Sequence, residues 1–525
     1  MEEFTDEERR LLAPFCSNLD RPIFVLRNLP EVVKGALFSR YSRSVKSLRR
    51  TLLDEFIKGG EVGISSGSDN VATDKAEAFY DRVLLGYGDE SVAELAGAHI
   101  ALEDISIIAT KVVEDARIGL SPLEKSTRYV YFDQKVSGKW RYYEEPDLMG
   151  SEFSSLYTET CDFLFSTYAS LIPKVSKYVT EKMPRDEKLS DRAFEAVVRA
   201  KTCDTIRGLL PASTKTNMGF FGNGRSYEYL ITKMYADQLA EMRALAKSVQ
   251  TELRTIIPSF VKRPDTEHGV EMQKYMQTTR LDGMGAKTEE ERCTEDRVTL
   301  VDYDKDAEER IVAAALYPFT NRSMASLIQD AKRMSANERE KILSAYVGER
   351  KNRRQKPGRA FETAGYTFDI CANFGCYRDI HRHRILTQQR QTLGCLHGYT
   401  LPKDIVDAGF ESGFKDAMDG AKNAWETIRK KYPLQAQYVV PLAYRIRWQM
   451  SMNLREMFHF CELRSARQGH IDYRRIAQGM YKEAEKVHPG FTRYMKFMDM
   501  NDYEFERLDS EKRMDKRIAE LEKKI

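Results

Sequence analysis

No run in this 525-residue chain is apolar and charge-free for long enough to cross a bilayer, which excludes a membrane-spanning helix. A charge excess is also missing: 83 Lys and Arg stand against 80 Asp and Glu, a formal net charge of +3. Near neutrality excludes a bulk nucleic-acid coat, although phosphates can still be held locally. The opening residues, Met1-Glu2-Glu3-Phe4-Thr5-Asp6, are acidic where a secretory signal is basic and then apolar, so none is expected. The eight cysteines are scattered, as suits reduced thiols, and a cytoplasmic location is expected. Nor is the chain poor in apolar residues, since 42% are hydrophobic, and disorder on a large scale is excluded. The length exceeds one ordinary core, so more than one domain is expected.

What the chain does have is a repeat. Ile23-Phe24-Val25-Leu26 reads as a short buried strand followed by a turn and a helix. Val298-Thr299-Leu300-Val301 opens a second region in the same order. Each region then has an apolar segment running into a motif, Val92 to Arg117 and Phe361 to Arg384, the first with helical spacing. Next come Leu210-Pro211 with Asn223-Gly224-Arg225, and Val440-Pro441 with Asn453-Leu454-Arg455. These landmarks predict an α+β fold of two homologous halves, each a small, mostly antiparallel sheet packed with helices. The expected divisions are 20–264 and 297–500 for the repeats, 265–296 for a polar linker and 501–525 for a charged helical tail. In the tail Met514, Ile518, Leu521 and Ile525 share one helical face that is expected to dock.

Two motifs carry chemistry. His381-Arg382-His383-Arg384 is a dense cationic cluster whose planar donors suit phosphates, the alternative being a solvated basic face. Glu124-Lys125-Ser126-Thr127-Arg128-Tyr129 sets an acceptor, a hydroxyl and a guanidinium within five residues; by itself its default reading is a loop with a surface ion pair. A further basic run, Arg350 to Arg359, reads either as a polyanion grip or as a solvated loop. Cys371, Cys376, His381, His383, Cys395 and His397 are too irregularly spaced for a structural zinc site, and no metal is expected.

On these residues the chain resembles the flavin-dependent thymidylate synthases, as a fused tandem duplication. That family carries Arg-His-Arg-x-x-Ser-x-Asn-Glu-x-Ser-x-Arg-Tyr. Arg382-His383-Arg384 matches its front, with Thr392 where the Ser is expected, and Glu124-x-Ser126-x-Arg128-Tyr129 matches its back. Gly88-Asp89-Glu90-Ser91-Val92-Ala93-Glu94 resembles the family's Gly-His-x-Ser-Val-x-Glu, with Asp89 in place of the His. The departures are complementary. The first repeat has Asp115-Ala116-Arg117 for Arg-His-Arg, and Met234 for the last family arginine; the second has Gly394-Cys395 for Arg-Tyr, and Gln437 where the first keeps Arg207.

The resemblance implies reductive methylation of dUMP to dTMP, with FAD as cofactor and NADPH and methylenetetrahydrofolate as co-substrates. It also implies one composite site per chain and a homodimer standing in for the family's tetramer. Arg128 and Arg464 are expected at the pyrimidine as catalytic groups, Arg382 and Arg207 at the phosphate, and Glu124 and Ser126 in orientation. Arg382, His383, Arg384, Asn453 and Arg455 are expected to contact the flavin. Four arginines at one site are expected to require an anionic ligand to neutralise them. Two alternatives stay open: a flavoenzyme modifying another uridine nucleotide, and a nucleotide- or RNA-binding homologue without flavin chemistry.

Overall fold

The computed structural model describes residues 2–58, 90–183, 189–281 and 291–522. Gly88 and Asp89 lie outside the described residues, as do linker residues 282–290 and Ile525. The chain divides into two compact units. One comprises Met1–Ile105, Val112–Glu124 and Thr216–Thr288; the other comprises Ser106–Lys111, Lys125–Lys215 and Glu289–Ile525. The second repeat thus lies within the latter unit, whereas the first repeat contributes to both.

Each repeat builds the same three-stranded core. In the first, β1 (Gly97–Ser106), β2 (Leu120–Glu124) and β3 (Lys215–Asn223) take the order β1-β3-β2. In the second, β4 (Arg297–Tyr303), β5 (Gly365–Asn373), β6 (Thr387–Arg390) and β7 (Arg445–Asn453) take the order β4-β5-β7-β6, the same arrangement plus one edge strand. The pairings β2–β3, β4–β5, β5–β7 and β6–β7 are antiparallel. On β7 the buried Ile446, Trp448, Met450 and Met452 alternate with the more exposed Arg445, Arg447, Gln449 and Ser451, the period-two pattern of a strand with one covered face.

The helices that follow these strands start at side-chain caps. Helix α1 (Ile107–Glu114) follows β1, with Ser106 Oγ accepting from the Ala109 N–H. The long helix α2 (Ser154–Lys182) buries a stripe running from Tyr157 through Cys161, Leu164, Tyr168 and Leu171 to Val175, and packs on α3 (Asp191–Ile206). Asn223 caps α4 (Gly224–Tyr235), Asn373 caps α5 (Phe374–Ile380) and Asn453 caps α6 (Leu454–Arg464), each by accepting a backbone N–H three residues on. Helices α7 (Ile471–Val487) and α8 (Leu508–Glu522) complete the second repeat and the tail.

Several local expectations are corrected. Ile23–Leu26 is not a buried strand: Ile23 and Val25 are exposed, and only Leu26 bridges, to Cys16. The segment after Val92 is not one helix, because its residues pair with β3 before α1 begins. The linker holds a helix, Glu267–Leu281. On α8, Met514 and Leu521 are exposed; it is Asp515 that docks, accepting from Ser190 and pairing with Arg192.

Candidate functional site

The two Leu/Val-Pro elements meet across a local two-fold. The Ala212 N–H donates to the Val440 carbonyl (2.9 Å) and Leu442 N–H to that of Leu210 (2.9 Å); Ser213 N–H donates to Tyr438 (3.0 Å) and Ala443 N–H to Gly208 (2.9 Å). Each bond has its symmetric counterpart at one constant sequence offset. The pairing brings the end of α3, from the first repeat, beside α5, α6 and the start of α7, from the second.

At that junction Arg128 donates twice to the Asp204 carboxylate, both at 2.7 Å, and a third time to the Tyr473 hydroxyl at 3.0 Å. Arg207, at the end of α3, donates to Asp379 of α5 at 2.9 Å. Arg464, the last residue of α6, donates through Nε to His383 Nε2 at 2.8 Å. The guanidinium carbons of Arg128 and Arg464 lie 5.5 and 5.4 Å from the centroid of the Tyr473 ring, so arginines from opposite repeats share one aromatic ring. Arg382 is exposed just after α5, and its charge acts on both Asp379 and Arg464. Four of the arginines picked out in the sequence therefore converge.

Two of them are already neutralised. Burial alone would raise the Asp204 carboxyl, but Arg128 outweighs it and holds the group well below the usual carboxylate range. Asp379 is likewise raised by burial and lowered further by Arg207, Arg128 and Arg382, with a large net fall. The expectation that an anionic ligand must neutralise all four arginines is corrected: two protein carboxylates serve Arg128 and Arg207. Arg464 differs. Burial lowers its pKa, and its hydrogen-bond partner is an uncharged imidazole rather than a carboxylate.

His383 is held neutral. Burial, then the charges of Arg464 and Lys356, push it well below its ordinary value. Its Nε2 accepts from Arg464, so its proton sits on Nδ1, 3.1 Å from Glu456 Oε1. His383, Glu456 and His459 cluster closely enough to suggest a metal site. That tautomer opposes it: one ring nitrogen accepts from an arginine and the other carries the proton, leaving no lone pair for an ion.

The remaining expected residues divide clearly. Ser126 Oγ accepts from the Arg128 N–H (3.2 Å) and shapes the turn that aims Arg128. Glu124 is buried at the end of β2, within the first compact unit. Asn453 spends its side-chain oxygen on the α6 cap, and Arg455 is bound to the Pro357 carbonyl (2.8 Å) and Glu362 (3.2 Å). Arg384 is half-buried. In the basic run, Arg350 is not solvated; it is buried against Glu462, at 2.5 Å, between Phe458 and Phe497.

The thymidylate synthase complementing protein family matches residues 40–259 and again 299–490. The chain belongs to that family. Proteins similar to it include a UPF0159 protein of Chlamydia pneumoniae, 47% identical over 98% of both chains. A UPF0159 protein of Thermoplasma acidophilum is 34% identical over 91% of this chain and 98% of its own. A flavin-dependent thymidylate synthase of Pyrococcus furiosus is 30% identical over 36% of this chain and 79% of its own. The double match within one polypeptide fits a fused duplication of the family unit. Within this member, Asp204, Asp379, Tyr473 and Glu456 complete the cluster, and sequence reasoning did not single them out. One signal was present: Asp379 lies three residues before Arg382, whereas Val112 lies three before Asp115, so the acid accompanies the basic motif. Among the described residues no helix is long and apolar enough to cross a membrane.

Proposed function

We propose that the chain reductively methylates dUMP to dTMP at one composite site, using FAD, NADPH and methylenetetrahydrofolate. The observation that carries this reading is the unbalanced charge. Arg128 and Arg207 are ion-paired with Asp204 and Asp379, whereas exposed Arg382 and Arg464, which donates to a neutral imidazole, have no ion-pair partner among the described residues, so two guanidinium charges are left for a ligand. A phosphomonoester brings about −1.5 to −2 at neutral pH, which matches that surplus. Family membership, and similarity to the Pyrococcus flavin-dependent thymidylate synthase, support the uracil nucleotide.

For the flavin, the residues present suit its anionic part. Arg382 and Arg384 offer planar donors, and the Lys356 charge reaches His383 and Glu456, so this end of the site fits a pyrophosphate. His383, Asn453 and Arg455 spend their polar atoms within the protein and act as its support. When bound, the flavin supplies the hydride that the one-carbon transfer requires. Arg464 and Arg128, both held at the Tyr473 ring, stabilise negative charge growing on the pyrimidine. Arg382 takes the phosphate, and Arg207 works behind it by holding Asp379. Neutral His383, oriented by Glu456, keeps the Arg464 guanidinium in place. Two such chains form a homodimer in this reading.

A second reading, nucleotide binding without flavin chemistry, is favoured by the engaged side chains of His383, Asn453 and Arg455. One experiment separates the two. The purified protein should be yellow and should convert dUMP to dTMP with NADPH and methylenetetrahydrofolate. Arg464→Gln should keep the flavin and lose roughly a hundredfold in kcat. A colourless protein that binds dUMP without turnover would leave only the second reading standing.

A further inference from the structure

The second compact unit holds a cavity of about 460 Å³ that shares only Asp204 and Arg207 with the arginine cluster. Asp502, Tyr503, Glu504 and Glu506 form one of its walls, and they lie beyond residue 490, where the family match ends. At the mouth the charges are paired: Lys182 with Glu504 at 2.9 Å, Arg475 with Asp502 at 3.5 Å, and Lys403 with Asp407. The interior differs. Lys201 serves two carboxylates, Asp404 at 3.0 Å and Glu506 at 3.9 Å. The Asp472 carboxylate has only neutral partners among the described residues. Asn373 Nδ2 donates to it at 2.7 Å, and beside it stands the His470 imidazole, which burial pushes toward the neutral form and whose Nδ1 accepts from the Asp472 N–H. Arg207 is the reverse case: Nη1 donates to Asp379, while Nη2 is buried with no hydrogen-bond partner among the described residues. Gly375 and Asn373 lie between the two, since a Cβ on Gly375 would stand 3.6 Å from the Arg207 guanidinium and 3.3 Å from the Asn373 side chain. A donor without an acceptor therefore sits near a carboxylate without a cation, a combination that a ligand with matching groups would complete.

We propose that this cavity is a second ligand site, taking a planar ring whose edge carries a lactam carbonyl flanked by an amidine, the edge that guanine and pterin share. The carbonyl accepts from Arg207 Nη2, and the adjacent ring N–H and amino group donate to Asp472 in a charge-assisted pair. Leu401, Pro402, Leu442, Ala443 and Ile471 offer apolar surface to the ring faces, and the volume is that of an ordinary small-molecule site. Other ligand classes match less of the lining. A phosphate or carboxylate would add negative charge beside Asp472 and Glu506. A polyamine would answer the carboxylates but offers Arg207 no acceptor. An apolar molecule would leave both ends unmatched. The site lies outside the dUMP reading, because none of Arg128, Arg382, Arg464 and Tyr473 lines it.

The test is calorimetric titration of the full-length protein with guanosine and, separately, with tetrahydropterin. At least one should bind, and which one binds identifies the source of the ring. Replacing the amino group, as inosine does for guanosine and lumazine for pterin, should weaken binding at least tenfold. Adenosine, which has no carbonyl, should give no heat. Leu401→Trp fills the cavity from a half-buried position and should abolish ring binding while dUMP affinity stays at the wild-type level. Asp472→Asn should weaken the ring at least tenfold; if that variant fails to fold, Leu401→Trp decides. Failure of both rings to bind, unchanged affinity in Leu401→Trp, or equal affinity without the amino group would each overturn the proposal. Tighter binding of spermidine or inorganic phosphate than of either ring would overturn it too, as would competition by dUMP, which would place the ring in the arginine cluster. Because the titration reads the ring directly, a failure of dUMP turnover does not alter its outcome.

Discussion

The duplication supplies its own control, because each arginine of the cluster has a counterpart in the other repeat that is not an arginine. Arg128 and Asp204 correspond to Gly394 and Leu434; Arg207 and Asp379 correspond to Gln437 and Val112. Charges vanished in pairs. A buried arginine without its carboxylate, or the reverse, costs several kcal/mol, so a half-lost pair is the least tolerable intermediate. The vacated positions were then reused for packing. Gln437 accepts from the Leu393 N–H (3.1 Å) and donates to the Leu434 carbonyl (3.0 Å), pinning a local turn. Gly394 lies so close to Trp425 that a Cβ there would stand 2.6 Å from the indole. The difference teaches that the counterpart positions are packed into the fold as structural elements rather than left as a vacancy.

The largest expected effect tests the pairing directly. Asp204→Ala strands the buried Arg128 and should cost about 3–5 kcal/mol in urea denaturation. Its counterpart change, Leu434→Ala, alters a half-buried side chain and should cost about 1 kcal/mol. Equal losses would mean that the ion pair is no more than filler. Next in size is Gly394→Ala, which forces a methyl into Trp425 and should cost about 1–3 kcal/mol. Gly413, with nothing within 4 Å of its would-be Cβ, is the control, and its alanine variant should be neutral or slightly more stable. If Gly394→Ala is equally harmless, the indole yields and the counterpart position is less firmly packed than its contacts imply.

Much of this was legible before the fold. Asn223 and Asn453 recur because each caps a helix directly after a strand, a local requirement that spacing alone reveals. The complementary survival of Arg128 and Arg207 in one repeat, and of Arg382 and Arg464 in the other, pointed to one shared site, and Tyr473 is the ring at which two of them meet. The carboxylates were not legible as partners. Asp204 reaches Arg128 across 76 positions within the first repeat, and Asp379 reaches Arg207 across 172, from one repeat to the other beside the pairing at Pro211 and Pro441. Local readings also failed where the deciding interaction was distant. Apolar Ile23–Leu26 looked buried but has no sheet to join, and the apolar stripe of α8 yielded to Asp515, whose partners lie 325 and 323 residues away.

The smallest expected effect separates the repeats by pH. Burial, with Arg464 and Lys356, sets the His383 pKa well below its ordinary value, whereas Ala116 at the matching place has nothing to titrate. A lowered folded pKa means that the unfolded chain binds the proton first. Stability is therefore complete above about pH 6.5 and declines as the pH falls toward the lowered folded value. His459, pushed down by burial to about 4, and His470, also lowered by burial, act with the same sign. Glu456 opposes them: burial raises its pKa, so it adds stability as the pH falls through that raised value, and the net slope is smaller than the histidine sum. His383→Gln can still accept from Arg464 and donate to Glu456, yet it cannot take the proton. Between pH 6.5 and 5 the variant should lose stability less steeply than wild type, by up to about 1.4 kcal/mol per pH unit. Urea denaturation at pH 7.5, 6 and 5 measures both slopes, and identical slopes would mean that His383 titrates as freely as it does in the unfolded chain.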